Sequence, residues 1–221
     1  MVKSIKKVVK TRPTRERRKI IVVGTEGNNK TEETYLRSLE KKQSKYHFIF
    51  ANGNDTDAVN IVNNTIKKAR TEGISYRNGD FAVSMFDLDT EKSKENQFMK
   101  AKVIAECKNI MLITSNPCFE LWFLEHFYFT TKPFDGSGSL IKELKSFIPN
   151  YTKNLGVFDV LNPKLKDAIV NCERLDKYHQ ASGINEQLQL CNPQTEVYKL
   201  VKMVGRDCRS TSDYGKRCGD I

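Results

Sequence analysis

The sequence has no apolar run long enough to cross a membrane. A spanning helix needs about 20 consecutive apolar residues, and a signal peptide needs about 7–15 of them behind a basic segment. The apolar run that follows the basic N-terminal residues is only IIVV, at 20–23. We therefore predict a cytoplasmic protein that has no membrane partner.

Cysteine and glycine motifs that bind metals or nucleotides are also missing. The six cysteines form no CxxC pair and no close cluster with histidine, which excludes the usual spacing of a zinc site. In the cytoplasm they are expected to be reduced thiols. Four of them are interpreted as small core residues or incidental ones, namely Cys107, Cys118, Cys172 and Cys191. No Walker or dinucleotide-binding glycine pattern occurs either.

Basic charge is concentrated at the N-terminus. The chain has 37 Lys and Arg against 27 Asp and Glu, a formal net charge of +10. Residues 1–19 hold nine basic residues and one acidic residue, Glu16, so about +8 lies there and about +2 is left for the rest of the chain. A short arginine-rich arm attracts polyanions, RNA or DNA in particular. A solvated arm that aids solubility explains the same pattern.

Segments of strand and helix character alternate through the first half of the chain. Short apolar runs rich in β-branched residues predict strands, and amphipathic stretches with caps predict the helices between them. The predicted strands are 19–25, 46–52, 80–89 and 109–115, and the predicted helices are 31–45, 55–71 and 94–108. This order predicts an α/β fold with a mainly parallel sheet flanked by helices. Thr31 is the predicted cap of the first helix, and Asp55 or Thr56 that of the second.

Helical patterns dominate after residue 116. They cover 117–129, 139–148, 164–179 and 195–204. Asn-Pro pairs at 116–117, 162–163 and 192–193 precede such patterns, and we expect each proline to begin a helix behind an asparagine cap. The predicted organisation is a basic arm (1–18), an α/β core (19–116), a helical extension packed on that core (117–205) and a disordered tail (206–221).

Three carboxylates accompany the ends of predicted strands. Glu26 follows the first strand, and Asp87 and Asp89 end the third. The carboxyl ends of parallel strands share one edge of the sheet, where ligands of open α/β folds bind, and residues two apart on a strand point to the same side. Two close carboxylates are stable together when a cation lies between them, and oxygen ligands favour Mg²⁺, with Mn²⁺ as a substitute. The alternatives are an acidic helix-capping turn at Asp87 and Asp89, and a solvated glutamate in a glycine turn at Glu26.

Other side chains are candidates for the same site. Lys30 and the amides of the turn before it suit a phosphate group. Glu120 lies on an apolar helix face, and a buried acid needs a partner or a function, whereas Glu125 is predicted to be exposed. His126 shares a helix face with Trp122. A histidine on such an apolar face is more often a core residue than a catalytic one. The aromatic residues of this segment are interpreted first as core, with base stacking as the alternative.

Four segments, taken in order, resemble the RloB family. They are KIIVVGTEGNNKTEETY, FDLD, SNPCFELWFLEHF and NPQTEVYKLV, and together they span about residues 19–204. Members of this family resemble Toprim-domain proteins and are encoded by bacteria near restriction loci or beside an ATPase in phage-defence operons. Relatives more often have a cysteine before the acid of the first segment, where this chain has Thr25.

The resemblance implies a Toprim-like α/β core and a site that makes or breaks phosphodiester bonds with Mg²⁺. Glu26 then takes the place of the invariant acid of Toprim domains, and Asp87 and Asp89 that of their metal-binding pair. The other family segments contain the further candidates Glu120, Asn116, Asn192 and Thr195. Strand-passing and primase activities are not implied, because helical additions replace the remainder of a longer Toprim protein.

The hypothesis from the sequence is a Mg²⁺-dependent nuclease that acts on RNA such as tRNA, in preference to DNA, and is activated during phage infection. Asp87 and Asp89 anchor the ion, Glu26 is a general base or a further ligand, and Glu120 is a further catalytic candidate. Groups expected to bind phosphates are Lys30, the arginine beside Thr14 (Arg15), Arg17, Arg18 and Lys19. Auxiliary roles are assigned to Asn116, His126, Asn192 and Thr195.

Two alternatives remain open. The same site could transfer nucleotidyl groups or hydrolyse a small nucleotide, which the near-neutral charge outside the arm favours modestly. The chain could instead be a non-catalytic regulatory subunit that binds nucleic acid or an ATPase subunit through its arm and helical portion. The chain could also form a homo-oligomer.

Overall fold

The computed structural model describes most of the chain between Arg17 and Gly205. The described residues are 17–27, 30–42, 45–51, 53, 56–88, 94–153, 155–183 and 191–205. Most of the predicted basic arm, the arginine beside Thr14, Asp89 and the predicted tail therefore lie outside the described residues. No helix in this part of the chain is both long and apolar enough to span a bilayer.

Strands and helices alternate along the first half of the chain. These elements are β1 (Lys19–Gly24), α1 (Lys30–Lys42), β2 (Tyr46–Phe50), α2 (Ala58–Thr71), β3 (Phe81–Asp87), α3 (Lys94–Cys107) and β4 (Ile110–Asn116). The later elements are α4 (Glu120–Leu124), α5 (Ser137–Leu144), α6 (Phe158–Leu161), α7 (Leu165–Ala181), β5 (Gln194–Thr195) and α8 (Val197–Gly205). Short 3₁₀ turns cover Tyr76–Asn78 and Asn162–Lys164.

The five strands form one sheet in the order β2-β1-β3-β4-β5. The first four strands in that order are parallel, whereas β5 runs antiparallel to β4. The predicted α/β fold with a mainly parallel sheet and a helical C-terminal part is confirmed. The fifth strand was not predicted, because its two residues, Gln194 and Thr195, are too few to produce a periodic pattern. It also replaces the start of the helix predicted over 195–204.

Both faces of the sheet are buried, which explains the unbroken β-branched run of β1. Ile21 and Val23 face one hydrophobic core and Val22 faces the other, as the two-residue alternation of a strand requires. The smaller core lies under α2 and α3. The larger core lies under α1 and the C-terminal helices, with Trp122 buried inside it. The helical portion and the sheet therefore share one hydrophobic core.

The segment after β4 departs most from prediction. A single helix is predicted over 117–129, but α4 spans only Glu120–Leu124. The following backbone tightens into hydrogen bonds between residues three apart, at His126 and Phe127. Every residue of α4 is buried, so the apolar composition reflects tertiary burial on all sides and not one helical stripe.

The three Asn-Pro pairs behave differently from one another. Pro163 lies in the first turn of a 3₁₀ helix that leads into α7, close to the prediction. Pro117 instead follows the end of β4 and Pro193 precedes β5, and both follow cis peptide bonds. The prediction of a helix start is wrong at these two sites. The preceding asparagines are engaged elsewhere, Asn116 in the sheet and Asn192 with the backbone of a distant loop.

Two predicted helix caps are also corrected. The cap of α2 is Asp57 and not Asp55 or Thr56, since the Asp57 carboxylate accepts hydrogen bonds from two backbone amides of the first turn, at 2.9 and 3.1 Å. Thr31 lies inside α1 and does not cap it. Its hydroxyl donates a hydrogen bond to the backbone carbonyl of Lys153 at 2.7 Å. This bond ties α1 to the C-terminal portion.

Gly24 allows the end of β1 to pack directly on α2. A Cβ atom at this position would lie 2.0 Å from Oγ1 of Thr65. That hydroxyl is itself fixed, because it donates to the Ile61 carbonyl at 2.8 Å and accepts from Ser84 at 2.8 Å. The glycine therefore sets where β1 ends and where Glu26 emerges.

Candidate functional site

Two of the predicted carboxylates lie together at the carboxyl edge of the sheet. Asp87 is the last residue of β3, and Glu26 follows β1 by two residues. Strands β1 and β3 are adjacent and parallel, with Gly24 opposite Ser84, so both side chains emerge at the same edge. Both are partly exposed, and they line one shallow pocket with apolar side chains of β3, α2 and α3. Asp89 lies outside the described residues.

Glu120 belongs to the same edge but lies deeper. It begins α4 and is 2% exposed. Its Oε1 accepts a hydrogen bond from the hydroxyl of Tyr151 at 2.9 Å. Burial, with the charge of Glu120 beside it, raises the pKa of Tyr151 far above its ordinary value, so the phenol stays protonated and keeps its role as donor. Glu120 was predicted to project from an apolar helix face, and in the structure it is a buried acid with a specific hydrogen-bond donor.

A further carboxylate, Glu32, joins this group and was not predicted. It lies in the first turn of α1 and is 4% exposed, and its Oε2 makes no hydrogen bond to any residue that the structure describes. Its pKa is raised to about 8, first by burial and then by the carboxylates of Glu120 and Glu26, while Lys153 opposes the shift. The signal was present in the sequence, because Glu32 shares the apolar face of α1 with buried leucines, as Glu120 does with its neighbours.

The cation beside these carboxylates comes from the C-terminal portion. Lys153 is exposed and lies in the loop between α5 and α6. Partial burial lowers the pKa of Lys153, but the carboxylates of Glu120, Asp87 and Glu32 oppose this, and the net shift is upward. We define Glu26, Glu32, Asp87 and Glu120 as the carboxylate cluster, with Lys153 as its cation. Lys153 was not predicted, because no sequence pattern sets the tertiary neighbours of a loop lysine.

Cys118 is buried next to the carboxylate cluster. Burial, and then the charges of Glu120 and Asp87, raises the pKa of its thiol well above the ordinary value. The thiol is therefore neutral and suits the interpretation of a small core residue. Cys172 and Cys191 are buried as well, whereas Cys107 is exposed, and all the described cysteines are free thiols.

The two family segments that contain Asn-Pro meet beside Asp87. Strand β5 pairs with the end of β4, and the hydroxyls of Thr195 and Ser115 share a hydrogen bond of 2.9 Å. The carbonyl of Ser115 accepts a hydrogen bond from the amide of Leu88, the residue after Asp87, at 2.8 Å. Thr195 and Asn116 are both buried. These residues brace the sheet at the edge where the carboxylate cluster lies.

Asn192 holds the loop that precedes β5. Its side-chain nitrogen donates to the carbonyl of Phe134 at 2.7 Å, and its side-chain oxygen accepts from the amide of the same residue at 3.1 Å. His179 forms a hydrogen bond with the carbonyl of Pro193 at 2.8 Å. The predicted auxiliary residue Asn192 therefore pairs with backbone, in a role that positions β5.

His126 and Glu125 lie inside the core. His126 is buried, and its Nδ1 donates to the carbonyl of Trp122 at 2.8 Å. Burial lowers the pKa of His126 to about 4, so the ring is neutral near pH 7. Glu125 is 0% exposed, and its predicted exposure is wrong because α4 is covered on all sides. Burial raises the pKa of Glu125 to about 8, against the opposing charge of Arg174.

The predicted phosphate-binding residues divide between the two edges of the sheet. Lys30 is exposed at the first residue of α1, on the side of the carboxyl edge. Arg17, Arg18 and Lys19 lie at the amino edge, where β1 begins. The six residues of β1 span about 20 Å at roughly 3.3 Å per residue. The structure therefore does not bring these three arm residues to the carboxylate cluster.

The arm residues at the amino edge have partners of their own. Arg17 forms an ion pair with the buried carboxylate of Asp80 at 3.0 Å, and Arg18 forms one with Glu40 at 2.8 Å. Nζ of Lys19 lies 5.8 Å from the ring centroid of Tyr46. These contacts fix the start of β1 and give the three residues a structural role.

The carboxylate cluster suits a hard divalent cation in its chemistry. Mg²⁺ is commonly bound by one or two carboxylates and keeps several of its waters, and Glu26 and Asp87 supply two partly exposed carboxylates at one pocket. Glu32 adds a buried oxygen without a hydrogen bond among the described residues. Over the same residues, no three His, Cys, Asp or Glu side chains are placed so that they could hold a metal ion by themselves.

Comparison with known proteins identifies the family of this chain. Searches of curated proteins and of solved structures gave no match. A family model described as RloB-like protein matches residues 21–204. The matched region runs from β1 to α8 and so includes every residue of the carboxylate cluster and the loop that carries Lys153. A match over most of the chain shows that the protein belongs to the family of RloB-like proteins.

Proposed function

We propose that this protein is a Mg²⁺-dependent phosphodiesterase of the Toprim type that cleaves RNA such as tRNA, in bacterial defence against phage and with an ATPase subunit as its partner. The observation that supports the chemistry is the carboxylate cluster at the carboxyl edge, with Lys153 as its cation. A carboxyl group whose pKa is raised by burial and by neighbouring carboxylates, as that of Glu32 is, is a candidate for a functional site. The RNA substrate and the defence role are proposed on the basis of the family resemblance.

In this proposal Asp87 and Asp89 would hold the ion, and Glu26 would be a general base or a further ligand. When bound, the ion polarises a phosphodiester oxygen and neutralises the negative charge that develops on it. Glu26 is partly exposed at the pocket, so its carboxylate can orient the attacking water and accept a proton from it. Asp87 fixes the geometry because it ends a strand that is hydrogen bonded on both sides.

The remaining residues of the cluster control charge. Lys153 is exposed beside the carboxylates and would donate hydrogen bonds to a phosphate oxygen of the substrate. Glu32 has a pKa of about 8 and is therefore mostly protonated at pH 7, which removes one negative charge from the cluster. Glu120 is held in place by the hydroxyl of Tyr151. A phosphate would meet less repulsion here than four ionised carboxylates would impose.

Hydrolysis or transfer of a small nucleotide at the same site is the second candidate. It is favoured by the ion pairs of Arg17 and Arg18 at the opposite edge, which leave these residues without a role at the pocket. Deletion of residues 1–16 discriminates between the candidates and spares both ion pairs. An enzyme that acts on polynucleotides should lose affinity and salt dependence, whereas an enzyme that acts on small nucleotides should keep both.

The test of the proposal is metal-dependent cleavage by the purified full-length chain. Total tRNA, plasmid DNA and the small diester bis(p-nitrophenyl) phosphate are each incubated with Mg²⁺, Mn²⁺ or EDTA. We expect tRNA products with Mg²⁺, and a loss of rate of about 100-fold or more in Glu26→Gln and in Asp87→Asn. Binding of Mg²⁺, measured by calorimetry, should weaken in the same two variants.

Matched controls are Glu106→Gln and Asp135→Asn. Both residues are exposed carboxylates that do not belong to the cluster, so the variants should retain full activity and the same melting temperature as the wild type. Full activity in both Glu26→Gln and Asp87→Asn would contradict the mechanism. Absence of cleavage of all three substrates, with either metal, would favour a regulatory subunit that needs its ATPase partner.

A further inference from the structure

A second surface of the protein combines aromatic rings with cations. Phe127, Tyr128 and Phe129 follow α4 and are partly exposed, and Phe147 follows α5 and is 41% exposed. The rings of Phe127 and Phe147 are stacked, with centroids 4.8 Å apart and planes at 20°. The ring of Tyr128 lies 5.5 Å from that of Phe147 at 30°. The planes of these rings differ by no more than 30° in the two contacts, and Phe147 is the most exposed of the three.

Two exposed cations lie against these rings. Nζ of Lys164 is 4.6 Å from the ring centroid of Phe127, and Cζ of Arg174 is 4.0 Å from that of Phe129. Cation–π contact holds the charged groups at the surface without neutralising them. We refer to these six residues as the aromatic–basic surface, namely Phe127, Tyr128, Phe129, Phe147, Lys164 and Arg174.

Two chain segments connect the aromatic–basic surface to the carboxylate cluster. One segment runs from Glu120 through α4 to Phe127. The other runs from Phe147 to Tyr151, whose hydroxyl donates to Glu120 at 2.9 Å. Phe127 lies seven residues after Glu120, and the backbone between them is α-helical to Leu124 and tighter beyond it. At a rise of about 1.5–2.0 Å per residue, the surface begins roughly 10–14 Å from Glu120. A chain molecule of a few units could therefore contact both.

We propose that the aromatic–basic surface binds an unpaired segment of the RNA whose phosphodiester bond reaches the carboxylate cluster. Bases of any identity stack on flat aromatic faces, while lysine and arginine contact the phosphates between them. An apolar protein partner would instead have to desolvate the charges of Lys164 and Arg174, which is costly. The inference rests on the proposed function, because a nuclease must hold its substrate beyond the reacting bond.

The surface also restricts the class of substrate. A base reaches the ring of Phe147 only when it is unpaired, as in a loop, a bulge or a chain end. Bases inside a duplex are already stacked on one another and gain nothing from the ring. Structured RNA with exposed loops fits this surface, and continuous duplex does not.

The test is binding of single-stranded RNA in EDTA, where no metal-dependent cleavage occurs. Fluorescence anisotropy compares a labelled oligouridylate of about 12 nucleotides, within the usual range of such sites, with an RNA duplex of equal length. Phe147→Ala should weaken binding of the single strand about tenfold and leave duplex binding unchanged. Lys164→Gln and Arg174→Gln should each lower the slope of log affinity against log salt by about 0.7.

Conservative variants at Phe147 distinguish stacking of a base on the ring from the contribution of apolar volume alone. Phe147→Tyr keeps a flat ring and should bind as the wild type does. Phe147→Leu keeps apolar volume without a flat face and should bind as weakly as Phe147→Ala. Tyr76→Ala and Lys102→Gln change an exposed ring and an exposed lysine outside the surface, and both should bind normally. Equal affinity of Phe147→Leu and Phe147→Tyr would overturn stacking.

Failure of this inference can be distinguished from failure of the proposed function. If Phe147→Ala binds RNA with wild-type affinity and Asp87→Asn no longer hydrolyses bis(p-nitrophenyl) phosphate, RNA binding by the aromatic–basic surface is contradicted. The proposed phosphodiesterase chemistry is then still supported. The surface would then suit a protein partner. Weakened binding in Phe147→Ala, with no metal-dependent hydrolysis by the wild type, would support the surface and contradict the phosphodiesterase.

Discussion

The surroundings of buried carboxylates differ between the two edges of the sheet, and they shift the carboxyl pKa in opposite directions. At the amino edge, the buried carboxylate of Asp80 accepts hydrogen bonds from Arg17 and from the backbone amides of Ile20 at 2.8 Å and Ser75 at 2.9 Å. Burial alone would raise the pKa of Asp80, but these donors hold it below its ordinary value. At the carboxyl edge, burial and then the neighbouring carboxylates of Glu120 and Glu26 raise the pKa of Glu32 to about 8.

This difference separates a structural carboxylate from a candidate functional one. A carboxylate that several donors surround is more favourable when ionised in the folded state, so it contributes to stability. Carboxylates that repel one another reduce stability until a proton or a cation joins them. Asp80 anchors the start of β1. In the carboxylate cluster, by contrast, electrostatic repulsion remains, and binding of a cation would relieve it.

The largest expected loss of stability is at the amino edge. Asp80→Ala leaves two backbone amides without their acceptor, at about 1–3 kcal/mol each, and should lower the free energy of unfolding by about 3 kcal/mol. Asp87→Ala at the opposite edge removes one of several repelling charges and should lower it by less than about 1 kcal/mol. Urea unfolding at neutral pH measures both. Equal losses would contradict the view that Asp80 is a structural carboxylate and Asp87 a functional one.

The sequence was sufficient to place Glu26 and Asp87 at one edge. Short apolar strands separated by helices imply parallel pairing, and parallel strands end together. The same argument places Arg17 and Arg18 where β1 begins, at the other edge. These residues were predicted to bind phosphate from the charge composition of the arm. Basic charge attracts polyanions over a long range, but it does not show where on the protein a phosphate binds. Glu32 could have been identified too, from the apolar face of α1 that it shares.

Other parts of the site could not be predicted. Lys153 and Tyr151 reach the carboxylates because the loop between α5 and α6 contacts the first turn of α1 and the start of α4, and only tertiary packing decides that path. Thr195 is placed by a two-residue strand whose pairing with β4 depends on hydroxyl and backbone contacts far apart in the chain. The flat arrangement around Phe147 likewise depends on where two helices end, which sequence patterns locate poorly.

The next expected effect is on the pH dependence of stability. Glu32 has an ordinary pKa of 4.5 and a folded pKa of about 8, so its contribution is fully present below the lower value and is lost as the pH rises through the higher one. The slope reaches at most about 1.4 kcal/mol per pH unit. Glu32→Gln keeps a neutral side chain at every pH. It should be more stable than the wild type above about pH 8, as thermal unfolding across this range would show.

Glu125→Gln provides the matched comparison, because Glu125 also has a folded pKa of about 8 but lies in the core. Both variants should lose part of the pH dependence of the wild type. Millimolar Mg²⁺ should reduce the dependence that remains in Glu125→Gln, where Glu32 still titrates at the site. It should not reduce that of Glu32→Gln. The same response in both variants would assign Glu32 to the core and not to the site.

The smallest expected effect is that of Lys153→Met. Lys153 lowers the pKa of Glu32, so its removal should raise that pKa further and make the cluster harder to ionise. Because the ammonium group is exposed, the loss of unfolding free energy should stay below about 1 kcal/mol at about pH 9. It should be smaller at about pH 5, where Glu32 is already protonated. Lys102→Met, in an exposed lysine of α3, is the control and should show no such difference. Equal losses at the two pH values would mean that Lys153 acts through its aliphatic stem. The negative charge of the carboxylates would then be compensated only by a bound cation.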